Sequence, residues 1–239
     1  MSQEIRFDGR TRFQLRPVHF TTGFIEYPEG SVLIAMGKTR VLCNASIQNS
    51  VPEWMTGHGN GWITAEYAML PRATLTRTKR ESNGPGARSQ EIKRLIGRSL
   101  RAGVDLDLLG EKTIIIDCDV LQADGGTRTA SITGGYLALA LALKKLIDSG
   151  DIPAAVLLPP VAAVSIGILD NKVLVDLDYH EDSKAEVDMN VVMTASGDFI
   201  EVQGTAEGKP YSRQQLGELL DAAASAIQQL VNFQLQAID

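Results

Sequence analysis

Apolar and polar residues alternate through most of the first seventy positions, the period of half-buried strands, and a helical period takes over only after residue 85. Residues 12–20, 31–36, 40–47 and 62–70 are predicted strands. Gly37-Lys38-Thr39 supplies a hairpin-like turn between the second and third of them. The stretch ESNGPGAR, residues 81–88, is too rich in Gly, Pro and Asn for regular structure. A helix follows over 89–102, with Ser89 as its N-cap and Ile92, Leu95, Ile96 and Leu100 on its core face. Arg94, Arg98 and Arg101 fall on another face and predict an exposed basic stripe.

Elements of the same kinds continue past residue 110. A β-branched strand over 112–121 runs through a glycine turn into an apolar helix over 128–146. Strands at 161–168 and 172–178 form a hairpin around Asp170-Asn171, and strands at 186–194 and 199–204 join at Ser196-Gly197-Asp198. Leu216, Leu219, Leu220, Ala223, Ile227, Leu230 and Val231 mark a last helix over 212–235. Strands followed by a helix thus occur twice. The expectation is a layered α/β protein of two packed halves, residues 1–150 and 151–239, forming one unit.

Composition adds two constraints. Residues 152–169 carry no charge, but Pro153 and Pro159-Pro160 interrupt them, so no membrane span is expected there. The charged start MSQEIRFDGR lacks the apolar run of a secretory signal. Cys43 and Cys118 lie in apolar, strand-like runs and are expected to be buried thiols of a reducing, cytoplasmic protein.

Charge changes the picture more. Residues 72–101 hold nine basic and two acidic residues, a net +7 that leaves −13 on the rest of a chain of −6 overall. A positive field confined to one place on an acidic protein suits a polyanion better than a solvated face does. The glycine turn is neither a P-loop nor a dinucleotide fingerprint. His19, His58 and His180 have no zinc spacing, and no Gly-x-Ser-x-Gly elbow is present.

Two candidates remain. Gly126-Thr127-Arg128 opens a helix and offers an anion its unpaired N–H groups, with Arg88, just ahead of the other helix, as the natural second guanidinium. The alternative is a tight turn capped by Thr127 or Thr129. In VDLDYHEDSKAEVDMN, Asp176 and Asp178 alternate along a strand while Asp182 and Asp188 bracket the next. Carboxylates without Cys or His suit magnesium or manganese, and the alternative is a set of solvated strand-end acids.

Five blocks, GWITAEYAMLPRAT, IKRLIGRSLRA, IDCDVLQADGGTRTASITGG, EDSKAEVDMNVVMT and IEVQGTAEG, resemble the bacterial ribonuclease PH family in sequence and order. The likeness runs from Asp8-Gly9-Arg10 and Leu15-Arg16-Pro17-Val18 into the last helix, and is weakest at DIPAAVLLPPV. It implies the ribonuclease PH fold, two βαβ-type halves like the second domain of ribosomal protein S5. It also implies a phosphate-dependent 3′-to-5′ exoribonuclease acting on tRNA precursors and other RNA 3′ ends, ribosomal RNA included. Such an enzyme releases nucleoside diphosphates reversibly. By the same resemblance, Arg88, Gly126, Thr127 and Arg128 hold inorganic phosphate, and Asp182 and Asp188 hold Mg2+ and assist proton transfer. Arg72, Arg77 and Arg80 match the arginines that engage RNA, and the family assembles as a homo-hexamer, a trimer of dimers. A non-catalytic RNA-binding ring subunit, which would lack one of these sites, is the main rival. A hydrolytic metal nuclease and a plain RNA-binding module are the others.

Overall fold

The alternating stretches on either side of Gly37 fold back on one another as their pattern predicts. In this computed structural model, which describes residues 5–82 and 84–238, β1 (Val18–Thr22), β2 (Gly30–Met36) and β3 (Thr39–Gln48) run antiparallel. Residues 1–4 of the charged N-terminal segment, Asn83 of the glycine-rich loop and Asp239 fall outside that description. The strand expected over 12–20 is shorter than its alternation suggested. Pairing starts at Val18, because Pro17 has no N–H for a ladder and Arg16 is turned into the interior.

The first sheet is completed by β4 (Trp62–Met69) and, after α1 (Ala87–Arg101) and the single turn α2 (Leu106–Leu109), by β5 (Thr113–Gln122). Its order is β1-β2-β3-β5-β4, with β4 parallel to β5, so α1 is the crossover of a βαβ unit. Helix α1 begins on Gly86 rather than on Ser89. Ser89 is buried inside the first turn, where its hydroxyl donates to Glu81 instead of capping.

Helix α3 (Thr127–Asp148) then leads to the second sheet, made of β6 (Val161–Leu169), β7 (Lys172–Val175), β8 (Val187–Thr194) and β9 (Phe199–Ala206). The single turn α4 (Tyr179–Asp182) separates β7 from β8, and α5 (Arg213–Ile238) ends the described chain. The order β7-β6-β8-β9 is antiparallel throughout. Asp170 and Asn171 both take positive φ (50° and 58°) in the two-residue turn between β6 and β7, the conformation that a tight hairpin requires.

Helix α3 is the centre of the molecule. It lies against β2, β3 and β5 on one side and against β6 and β8 on the other, with α1 and α5 beside it. Being apolar all round, it is long and hydrophobic enough to cross a membrane, yet most of it is buried between the sheets. One apolar core therefore runs through both halves. Cys43 and Cys118 sit opposite each other on β3 and β5, both buried and free, with their sulfurs 3.9 Å apart. The proline-rich connection is tied down as well: Val156 O accepts from Asp105 N and Leu158 N donates to Gly103 O. Helix α5 starts with a reciprocal cap between Ser212 and Gln215, and its buried Gln234 donates to Thr133 O and Val161 O, joining α5 to α3 and β6.

Candidate active site

The glycine turn between β5 and α3 is held from beneath. Thr39 Oγ1 donates to Gly125 O at 2.7 Å and accepts from Asp124 N at 2.9 Å. Gly125 and Gly126 both take positive φ, 76° and 64°, and Gly126 is the left-handed N-cap of α3. The threonine cap weighed from sequence is not formed. Thr129 Oγ1 donates back to Gly126 O, and Thr127 Oγ1 pairs with Tyr67 Oη at 2.9 Å. No side chain caps α3, so the first N–H groups of a 22-residue helix stay available to an anion.

Arg128, in that first turn, reaches toward two residues that sequence reasoning missed. Its Nη1 lies 2.8 Å from Gln203 Oε1 on β9 and 3.3 Å from Glu91 Oε1 on α1, and Gln203 Nε2 donates to the same Glu91 oxygen. The triangle spans α1, α3 and β9. Glu91 did carry a signal, as one of only two acids among the nine basic residues. Arg88 is exposed on the first turn of α1.

The carboxylates converge on the same place. Asp182 ends α4, a turn fixed by the reciprocal cap between Asp178 and Glu181, while Asp188 lies on β8 opposite Gly167 and Thr205. Burial pushes the Asp188 carboxyl up to about 6; the charges of Asp182 and Glu207 add to this, and Arg128 and Arg88 oppose it. Burial also raises Asp182, against the pull of Arg88, Arg128 and Arg16. Both guanidiniums therefore act on both acids at Coulombic range. Gly125 brings the two parts together. A Cβ there would stand 2.5 Å from Leu177 O and 2.7 Å from Asp178 C, so the anion turn sits directly on the backbone leading into α4.

Asp176 and Asp178 do not share a strand face, because β7 stops at Val175. Asp176 is buried in the left-handed conformation (φ 55°), and Asp178 is the N-cap of α4. Asp182 and Asp188 are thus a pair rather than part of a larger cluster, and no group of three or more Asp, Glu, His or Cys occurs among the described residues that would enclose a metal ion. Two hard oxygen donors fit a magnesium site that water and substrate phosphate complete, and do not fit a closed zinc site.

The basic residues divide in two. Arg72, Arg77 and Arg80 are exposed on the loop after β4 and form no ion pair among the described residues. The stripe on α1 is displayed in part: Arg94 and Arg98 are exposed, and Arg101 is half-buried. Arg98 pairs with Glu201 on β9, and Arg101 lies 4.4 Å over the Trp62 ring while donating to Ile63 O. Of the three, only Arg94, which bonds its own helix at Gln90 O, has no partner on another element among the described residues.

The raised Asp188 carboxyl makes a stability prediction. Folding favours its neutral form, so its stabilising effect is complete below the ordinary carboxylate range near 4 and is lost as pH rises to about 6. At pH 7.5 the ionised group then opposes folding by about 1 kcal/mol, once a two-unit shift is discounted for partial exposure. In metal-free buffer, Asp188→Asn raises the thermal midpoint at pH 7.5 and raises it much less at pH 4. Scanning calorimetry at the two pH values checks this, and equal shifts at both would remove the carboxylate as the cause.

The chain is similar to known proteins over nearly its whole length. The family described as "3′ exoribonuclease family, domain 1" matches residues 14–145, and "3′ exoribonuclease family, domain 2" matches residues 159–226. A protein named ribonuclease PH from Bacillus cereus (strain B4264) is 54% identical over 237 residues, 98% of this chain and 97% of that one. Ribonuclease PH from Bacillus anthracis (strain CDC 684 / NRRL 3495) matches to the same extent. Among solved structures, a chain of the Archaeoglobus fulgidus exosome with RNA bound to the active site superposes with a TM-score of 0.81 at 24% identity, covering 95% of this chain and 92% of that one. Rice (Oryza sativa) Rrp46 superposes at 0.80 with 19% identity, covering 98% and 100%. At such identities these structures show the fold.

Proposed function

This chain belongs to the ribonuclease PH family of 3′ exoribonucleases, and from that premise we propose a phosphate-dependent 3′-to-5′ exoribonuclease that trims tRNA precursors and other RNA 3′ ends. Inorganic phosphate, rather than water, attacks the terminal phosphodiester and leaves as part of a nucleoside diphosphate. One phosphoric anhydride replaces one phosphodiester, so the step runs in both directions.

The observation that carries this reading is the convergence of an uncapped helix N-terminus, two arginines and two half-buried carboxylates. Nucleophile and substrate are both anions, and their repulsion must be cancelled where they meet. The first N–H groups of α3 with Thr127, Arg128 and Arg88 hold the attacking phosphate, and the planar guanidinium fork binds two of its oxygens at once. Asp182 and Asp188 hold Mg2+, which when bound neutralises charge on the reacting phosphate oxygens. The pair also assists proton transfer to the departing ribose 3′ oxygen. Arg72, Arg77 and Arg80 grip the backbone of the 3′ tail, which gives affinity without sequence choice. A non-catalytic subunit has no use for both sites.

Assembly as a hexamer of identical chains, a trimer of dimers, is part of the proposal, as is a cytoplasmic location. Phe7, Tyr27 and Leu75 are each more than 85% exposed, surface that association would cover.

A tRNA with a few extra 3′ nucleotides, incubated with magnesium with and without inorganic phosphate, tests the reading. Nucleoside diphosphates are expected, and only with phosphate. Monophosphates formed regardless of phosphate would make the protein a hydrolase, and the absence of any product would bring a binding role forward.

A further inference from the structure

Arg16 touches neither carboxylate of the acidic pair, yet it is bonded to both halves of the site. It is 4% exposed and its guanidinium is fully engaged. Nε and Nη2 lie 3.0 Å and 2.7 Å from the two oxygens of Asp176, and the backbone N–H of Arg16 donates to the same carboxylate at 2.8 Å. Nη1 donates to Asp124 O at 2.5 Å, and Nη2 lies 3.5 Å from Gly125 O. Its stem packs on Gly37, which has no room for a Cβ.

These carbonyls decide where the anion turn points. In a trans peptide the C=O of one residue and the N–H of the next face opposite ways. Drawing Asp124 O and Gly125 O toward Arg16 turns Gly125 N–H and Gly126 N–H away from it. Neither N–H has an acceptor among the described residues, and left-handed Gly126 followed by the right-handed first residue of α3 gives the alternating backbone of an anion-binding nest. The other arm of the guanidinium fixes Asp176, which directly precedes the Leu177–Tyr179 backbone on which Gly125 rests. Arg6 and Arg10 hold the same segment, through Val175 O, Asp176 O and the Glu181 carboxylate.

We propose that Arg16, paired with Asp176, is a positioning residue for phosphorolysis, setting the aim of the phosphate-binding turn and its distance from the acidic segment that ends in Asp182. The inference rests on the phosphorolytic reading above. The pair also serves stability, since Asp176 lies 3.7 Å from Arg10 Nη1 and accepts the Arg16 backbone N–H, so the aim of the turn has to be read from a kinetic parameter rather than from unfolding. An apolar pair cannot hold two carbonyl oxygens. Burial works against the Arg16 charge, but Asp176 more than offsets it, so the guanidinium remains charged at any working pH.

Two variants separate positioning from structure. Arg16→Lys keeps the charge but loses the fork, and the double variant R16M/D176N removes both charges while keeping, at position 176, an acceptor for the backbone N–H of residue 16 and a residue type that tolerates the left-handed backbone. Both are expected to raise KM for inorganic phosphate at least tenfold while leaving tRNA affinity unchanged. The double variant is expected to melt lower than the parent, because two buried carbonyls lose their donor, and Arg16→Lys, which keeps the charge beside Asp176, to melt closer to it. A folded double variant with the parent's phosphate KM and turnover would overturn the proposal, as would Arg16→Lys with an unchanged phosphate KM. A parent protein that ignores phosphate is a different result: it overturns the phosphorolytic reading, and this role with it.

Discussion

Asp182→Asn stops nucleoside diphosphate release, lowering turnover by about 10³-fold or more, equivalent to roughly 4 kcal/mol of transition-state stabilisation. The substitution preserves size and shape at the end of α4 and removes only the charge. The turn itself does not depend on that charge, because Asp178 and Glu181 cap it and Arg6 binds Glu181. Burial already raises the Asp182 carboxyl, so at neutral pH its ionised form opposes folding slightly, and the amide removes that penalty. The expected result is an inactive protein that melts no lower than the parent. Steady-state turnover and thermal unfolding, measured on one preparation, test both parts together. Near-normal turnover would take Asp182 out of the catalytic set.

Gly125→Ala is expected to do damage of the opposite kind, lowering stability and activity together. A left-handed φ of 76° disfavours any Cβ by about 1–2 kcal/mol. The added methyl also meets backbone atoms at 2.5, 2.7 and 2.9 Å, which cannot swing aside as a side-chain end can. Overpacking of this sort adds about 1–3 kcal/mol, for a total of about 3 kcal/mol. In a chain of this length that lowers the thermal midpoint by roughly 10 °C. Relief comes only by parting the anion turn from the acidic segment, and a displacement near 1 Å at a reacting centre lowers turnover by about 10²-fold. Gly126→Ala is the control. Its Cβ would meet side-chain ends at 3.1 Å and 3.3 Å, from Arg16 and Thr129, and a smaller loss of stability is expected. Equal effects at the two glycines would show that backbone conformation alone, not the contact with residues 177–179, sets the requirement.

The hairpins were legible because period-two alternation and turn chemistry coincide at Gly37-Lys38 and at Asp170-Asn171. The strand-to-helix turn was legible because Gly125-Gly126 has few other uses between a β-branched run and an apolar helix. Where local pattern and tertiary demand diverge, the sequence misleads. Residues 12–17 alternate like a strand, but their polar member Arg16 is needed inside, so pairing waits until Val18. Asp176 looks like the outward residue of a strand and is instead one of the most buried acids, because an arginine 160 positions away meets it. Ser89 has the chemistry of a cap, yet α1 starts before it. The partners of Arg98 and Arg128 come from β9, more than seventy residues along the chain, and no local spacing announces such pairs. The resemblance to ribonuclease PH named the residues of the site. It did not reveal what holds them in place.

Helix α3, shared by both sheets, sets a timetable for synthesis. When residue 150 leaves the ribosome, the first sheet and α3 are outside, but β6 and β8, which cover the other side of that helix, have yet to emerge. At about 5–20 residues per second the rest of the chain takes roughly 5–20 s to appear. For that interval a nearly all-apolar helical face stands open to water in the nascent chain. Slower elongation while these strands emerge would lengthen the exposure.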